Sequence, residues 1–287
     1  MIKFPASKMG AFYMLLSALC YVASASILRE FGDKYSSFQL TFIRSLIAAV
    51  IVFPIFFQQR KICFFLPNRL IMHIAVAGFS YLGILFWFKA ATILPVGDLF
   101  ALQFTTPLFT IVFAIIFLRE KFDLPSCFAT LIGFFGVLIV LRPGILAISF
   151  GAIAALFSSV GYASVNTVIK SLSRNTSVTT IVFFGNLFLV PIALPMAVYN
   201  WTSPSLNDWP AIIGVSCLST LGYFSITKGI SLAPAQLVQP VNFMRMPLAA
   251  LAGWIFFSEL PDFWTWIGTI VIFISTTFAV RRGAAKH

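Results

Sequence analysis

Long apolar runs separated by short polar connections are the dominant pattern of this chain. A helix crossing roughly 30 Å of hydrocarbon needs about 20 predominantly apolar residues. Ten runs reach that length, over 9–28, 39–57, 71–90, 96–118, 125–141, 147–168, 178–199, 209–230, 235–257 and 263–280. The connections are too short for a soluble domain, so neighbouring helices have to run antiparallel. The pattern predicts an all-α integral membrane protein of ten transmembrane helices.

Composition supports the same class. Hydrophobic residues make up 60% and charged residues 9%, where a soluble domain carries roughly a quarter charged; lipid must be the main solvent. The net charge of +11 does not point to nucleic acid, because the basic residues stand singly or in pairs between apolar runs and form no stripe for a phosphate backbone. With a cytoplasmic N-terminus, Lys3, Lys8, Arg60, Lys61, Arg69, Arg119, Lys121, Lys170, Arg174, Lys228, Arg281, Arg282 and Lys286 fall on the inner side. Only Arg29, Lys34, Lys89 and Arg142 fall outside. This bias is the positive-inside rule, and it predicts an inner-membrane protein with both termini cytoplasmic. The first run follows Lys3 and Lys8 and contains Ala23-Ser24-Ala25, as a signal peptide would; the duplication described next argues that it is kept. Of Cys20, Cys63, Cys127 and Cys217, three lie in apolar runs and no pair has C-x-x-C spacing, so neither a disulfide framework nor a metal site is expected.

The chain repeats itself. At an offset of 141, Gly10, Ala11, Leu15, Ser17, Tyr21, Phe42, Leu46 and Pro54 meet Gly151, Ala152, Leu156, Ser158, Tyr162, Phe183, Leu187 and Pro195. At an offset of 139, Leu82, Gly83, Lys89, Pro95, Phe104, Phe117, Glu120, Asp123, Thr130, Arg142 and Gly144 meet Leu221, Gly222, Lys228, Pro234, Phe243, Phe256, Glu259, Asp262, Thr269, Arg281 and Gly283. The paired Lys, Pro, Glu-x-x-Asp and Arg-x-Gly positions carry this match, since Leu and Phe coincide easily in apolar sequence. Five helices per half is an odd number, so the halves, 9–144 and 147–283, enter the membrane in opposite senses. Inverted repeats let one half rock against the other about a midplane site.

The stretch Leu94-Pro95 through Pro107 to Leu118-Arg119-Glu120-Lys121, with Gly133 and Gly136, resembles the EamA domain of the drug/metabolite transporter superfamily. Ala233-Pro234 through Phe243 to Phe256-Phe257-Ser258-Glu259 resembles a second copy. The resemblance implies ten helices, two inverted EamA repeats, cytoplasmic termini, and a cavity lined by helices 1–4 and 6–9 with 5 and 10 peripheral. Members similar to it move amino acids, amines, S-adenosylmethionine or vitamins. Two departures blur the exact lining positions: Pro107 and Pro247 differ by one residue between halves, and Pro125 follows Glu120 closely.

Arg245 is the most informative residue. It lies about ten residues into the ninth run, between Pro240 and Pro247, where a guanidinium costs at least ~2.5–3.5 kcal/mol to insert. It must face a cavity or a partner, so it is read as substrate-binding or as one member of an internal pair. The flanking prolines favour a distorted helix, tolerable only beside protein or water. Arg44 lies just inside the outer end of the second run, opposite Gly185 in the repeat; it either snorkels to the interface or serves an outer gate or an anionic group. Gln103 and Asn242 are repeat mates, as are Tyr21 and Tyr162. With Tyr81, Trp87, Asn166 and Gln239 they are candidates to line the cavity, the alternative being interhelical hydrogen bonding. Asn186 and Tyr223 are further mid-helix polar positions. Lys89 and Lys228 read as snorkelling, Glu120 and Glu259 as structural, and Ala129-x-x-x-Gly133 as a close-packing face that could serve a dimer.

His73, near a helix end, reads as interfacial, and His287 lies at the tail. No paired aspartates, H-E-x-x-H or phosphate-cradling loop is present in the sequence, so neither catalysis nor a cofactor is expected. The reading is a carrier for a small organic metabolite, monomeric or homodimeric, with membrane lipid as its other partner. A scaffold or receptor, or a membrane-embedded enzyme, are the alternatives.

Overall fold

The computed structural model describes all residues except 1–5, 32–33, 60–66, 68, 95, 143–148, 200, 259 and 286–287, and the side chains of 29–31, 59, 96–98 and 283–285. Lys3, Arg60, Lys61, Cys63, Pro95, Gly144, Glu259, Lys286 and His287 therefore lie outside the described residues. What is described is helical, with no strand. The helices are α1 (Ala6–Phe31), α2 (Ser37–Gln59), α3 (Leu70–Ala91), α4 (Val96–Gln103), α5 (Thr106–Leu118), α6 (Leu124–Leu141), α7 (Phe150–Leu172), α8 (Val178–Tyr199), α9 (Trp209–Leu232), α10 (Ala235–Val238), α11 (Arg245–Phe257) and α12 (Phe263–Ala285). A 3₁₀ turn at Leu206–Asp208 precedes α9, and a longer 3₁₀ segment, Gln239–Met244, joins α10 to α11.

Among the described residues, nine segments are long and apolar enough to cross a membrane. The expected ninth crossing is not among them, because 235–257 is broken into α10, the 3₁₀ segment and α11. Proline explains the break. Its ring clashes with the carbonyl four residues back and it brings no N–H; Pro240 lies inside the 3₁₀ segment, and Pro247 stands four residues beyond Phe243. The repeat-related run 96–118 is also interrupted. There α4 stops at Gln103, four residues before Pro107, and α5 restarts at Thr106. The freed Gln103 carbonyl accepts from Thr106 Oγ1 at 2.7 Å.

Every major helix packs on a partner from the other half: α1 on α9, α3 on α7, α2 on α8 and α6 on α12. The registers are antiparallel. Along α1 and α9, Gly10 meets the Gly229 carbonyl and Ser24 Oγ lies 3.0 Å from Ser219 Oγ. Along α6 and α12, Ser275 donates to the Ala129 carbonyl at 2.5 Å, Gly136 meets Gly268, and Arg282 binds Asp123. Because α6 and α12 are repeat mates, their opposed directions show the halves inverted relative to each other. The Ala129/Gly133 face serves this contact within the chain: a Cβ on Gly133 would lie 2.7 Å from Phe243 and 2.8 Å from Ser275.

Candidate functional site

The two helix breaks meet. Phe104 and Phe243 are repeat mates, and their ring centroids lie 6.2 Å apart. Residues related by an approximate two-fold touch each other only near its axis, so both breaks sit at the centre of the fold. Tyr21 and Tyr162 flank them in matching fashion, Tyr21 against Gly222 and Tyr162 against Gly83. These glycines are mates too. A Cβ on either would stand 3.2–3.3 Å from the phenol ring, so the ring would have to give by a few tenths of an ångström.

The repeat supplies an internal control for the polar groups. Around Gln103 they are consumed. Gln103 accepts from Ser158 Oγ at 3.1 Å and donates to Thr106 at 3.2 Å, and Ser158 also lies within hydrogen-bonding distance of the Gly83 carbonyl, at 2.9 Å. Around Asn242, on the other side of the repeat, the corresponding atoms stay open. Asn242, the mate of Gln103, donates to Gln239 Oε1 at 2.5 Å. The Asn242 Oδ1, the Gln239 Nε2, the Arg245 Nε and the Ser17 Oγ (Ser17 being the mate of Ser158) are buried with no hydrogen-bond partner among the described residues. Buried polar atoms are normally paired, so such a group beside a helix break is where a ligand or water would be received.

Arg245 begins α11 and lies over the Tyr21 ring, its Cζ 4.6 Å from the centroid. The ring face offsets part of its charge. Arg44 lies in α2 and is half-buried. Its mate, Gly185, leaves space that the Tyr223 hydroxyl occupies, 2.8 Å from where a Cβ would stand.

Other candidates do not join this group. Asn166 donates to Thr110 of α5 at 3.3 Å, across helices, and Asn186 to the Val182 carbonyl one turn back in its own helix at 2.8 Å. Trp87 packs with Ala90, Leu99 and Ala154 in a separate apolar cluster, and Tyr81 is half-buried and takes no part in these hydrogen bonds. His73 is fully buried against neighbouring helices, 5.5 Å from the Phe184 ring. Ser17 was not among the sequence candidates, although its match to Ser158 was the available signal. An apolar groove between α11 and α12, lined by Pro247, Leu251, Trp254, Trp266 and Phe273, contributes little polar surface.

Both ends of the helices are tied across the halves. At the α9 C-terminus, Lys170 donates to the Ile230 and Ala233 carbonyls at 2.6 and 2.5 Å and lies 3.7 Å from Glu120, which accepts from the Ala235 N–H at 2.9 Å. Gln236 accepts from the Asp123 N–H at 2.8 Å and donates to the Lys121 carbonyl at 2.7 Å. At the α9 N-terminus, Asp208 binds Lys34 at 2.5 Å and also Tyr35. Hydrogen bonding to this carboxylate holds the Lys34 ammonium above its ordinary range.

Two related halves and, among the described residues, nine segments long and apolar enough to cross a membrane define a multi-pass membrane protein. The EamA-like transporter family matches the chain over residues 8–142 and again over 149–281, and the chain belongs to that family. It is 28% identical over 281 residues to a riboflavin transporter of Vibrio cholerae serotype O1, covering 96% of this chain and 94% of that protein. It is 24% identical over 271 residues to an S-adenosylmethionine uptake transporter of Rickettsia felis, covering 94% and 92%. A solved crystal structure superimposes with a TM-score of 0.81 at 16% identity, covering 96% of this chain and 98% of the other, which supports the fold.

Proposed function

We propose that this protein carries a small organic metabolite across the inner membrane by alternating access, with the site at the junction of the two broken helices. Ten crossings form two inverted five-helix units, 9–144 and 147–283, the tenth crossing being 235–257 despite its break. The observation that carries the reading is the meeting of the breaks, at Phe104 and Phe243, beside buried Asn242, Gln239 and Arg245 atoms that have no partner among the described residues. Interrupted helices at an inverted-repeat interface are how carriers expose backbone and side-chain groups to a substrate. The Glu120 end faces the cytoplasm, as do both termini, in keeping with the bias of basic residues toward that side. The two relatives' names make riboflavin and S-adenosylmethionine the first compounds to try.

The test is uptake of labelled riboflavin, S-adenosylmethionine and a panel of amino acids into vesicles holding purified protein, wild type and Arg245→Ala. Uptake by the wild type, lost in a variant that elutes normally on gel filtration, supports a carrier with Arg245 in its site. Undiminished uptake by Arg245→Ala would return that residue to a structural role. No uptake of any compound counts against transport.

A further inference from the structure

Resting on the carrier reading, we infer that the apolar groove between α11 and α12 is a seat for the start of α4, Val96–Leu99, and that the carrier changes sides by filling this seat as it empties the matching one. The duplication makes the seat recognisable. The mate of Val96–Leu99 is α10, Ala235–Val238, and α10 crosses to the other half to pack on α5 and α6. There Ala235 shares an apolar cluster with Ile111, Ile115 and Cys127. Its N–H donates to Glu120 at 2.9 Å, and the Gln236 amide bonds the Asp123 N–H and the Lys121 carbonyl. The mates of Ile111, Ile115 and Cys127 are Ala250, Trp254 and Trp266. All three line the groove.

In this structure α4 packs chiefly on α7, α6 and α3, with Leu99 against Ala90, Ala154 and Ala155. The groove is correspondingly open: Trp254 and Trp266 are 46% and 54% exposed, where Ile111 in the filled seat is 5%. Size is matched as well. Gly97 stands at the position of Gln236, and Trp266 at that of Cys127, so large against small in one seat becomes small against large in the other. Related halves with unequal contacts are what one state of an inverted-repeat carrier presents, and exchanging those contacts between the halves gives the other state. α10 also packs on α1 and α9, as Leu99 does on α3 and α7. The exchange therefore leaves these contacts alone: α5 and α6 part from α10 while α11 and α12 close on α4. Gly97 has no amide to offer, so the α4 seat is the weaker of the two, in keeping with the α10 seat being the filled one.

The experiment measures disulfide formation across each seat in full-length protein reconstituted in liposomes, the remaining cysteines being replaced by serine. Gln236→Cys joins the native Cys127 across the α10 seat, where the thiol lies 3.4 Å from the Gln236 amide oxygen. In a second protein, Gly97→Cys with Trp266→Cys spans the groove; Val96→Cys with Ala250→Cys replaces that pair should Trp266→Cys fail to fold. Each pair is measured with Lys170 intact and in Lys170→Met, which loosens the α10 seat through Glu120. The expected result is a disulfide at both seats, with Lys170→Met speeding the one across the groove roughly tenfold and slowing the other. Two results overturn the proposal. No disulfide across the groove from either pair, in either background, leaves the groove to lipid. Rates that ignore Lys170→Met, or move together, show that the seats are not exchanged. Vesicle uptake separates the two readings. Opposite shifts with no compound transported keep the exchange of seats and remove the carrier; uptake undiminished once the α10 seat is locked by its disulfide does the reverse.

Discussion

Replacing Lys170 by Met tests the tie at the α9 C-terminus most directly. Methionine keeps most of the length of the side chain and removes its charged terminus. Two charge-assisted bonds to the Ile230 and Ala233 carbonyls disappear, and Glu120 loses its cation 3.7 Å away. Breaking a fully buried pair costs about 3–5 kcal/mol. Here the side chains remain 14% and 10% exposed, and Glu120 keeps the Ala235 N–H, so a cost of about 2–3 kcal/mol is expected on discounting that figure for residual solvation. Glu120→Gln, which keeps an acceptor for Ala235, should cost about 1 kcal/mol. A double-mutant cycle on unfolding in mixed detergent micelles should then give a coupling of roughly 1–2 kcal/mol. The same change should open this end. Cys127 lies 3.4 Å from Gln236 Oε1 under the tie, so with the other cysteines replaced by serine its labelling by a water-soluble maleimide should accelerate in Lys170→Met. A Lys170→Met cost below about 0.5 kcal/mol, additive with Glu120→Gln and with labelling unchanged, would refute the idea that these residues hold the two halves together.

Further predictions concern packing and backbone. Gly268→Ala places a Cβ 2.6 Å from the Gly136 carbonyl and against Val140; overpacking should outweigh the helical gain of alanine and cost about 2 kcal/mol. Gly214→Ala meets nothing within 4 Å and should be neutral or stabilising by up to ~1 kcal/mol, so the pair measured side by side in thermal unfolding checks the α6–α12 contact. Ser258 caps α11 at φ 57°, as its mate Arg119 caps α5 at φ 54°; Ser258→Gly should relieve left-handed strain and stabilise by a net ~0.5 kcal/mol, and a lower melting temperature would contradict the cap.

Much of this fold was legible because apolar run length and charged ends report directly on the bilayer. The duplication added the inversion, through residues such as Asp123/Asp262 and Lys89/Lys228 that apolar drift does not reproduce. Arg245 stood out in the sequence for its insertion cost alone. Less visible was which mid-helix polar residue finds a partner. Gln103 and Asn242 look equivalent as a sequence pair, yet Ser158 and Thr106 engage one while the other keeps its oxygen open. That difference depends on side-chain placement across helices far apart in sequence. The surroundings of Trp87 and His73 were hidden for a related reason, since run boundaries locate depth and not the face a helix turns inward. The Gln239–Met244 segment likewise needed the combined clash of two prolines with a crowded centre, where sequence alone indicated only a distortion.

The pairing of each helix with a partner from the opposite half also governs how the chain is assembled. Ser24 and Ser219, which touch between α1 and α9, are 195 positions apart. At a synthesis rate of roughly 5–20 residues per second, α1 waits on the order of 10–40 seconds in the bilayer before its neighbour is made. During that time its glycine and serine face has only lipid or the insertion machinery to rest against. A nascent chain stopped after the first half would thus present a half-finished surface complementary to the missing half, and supplying that half as a separate polypeptide should let the two complete each other.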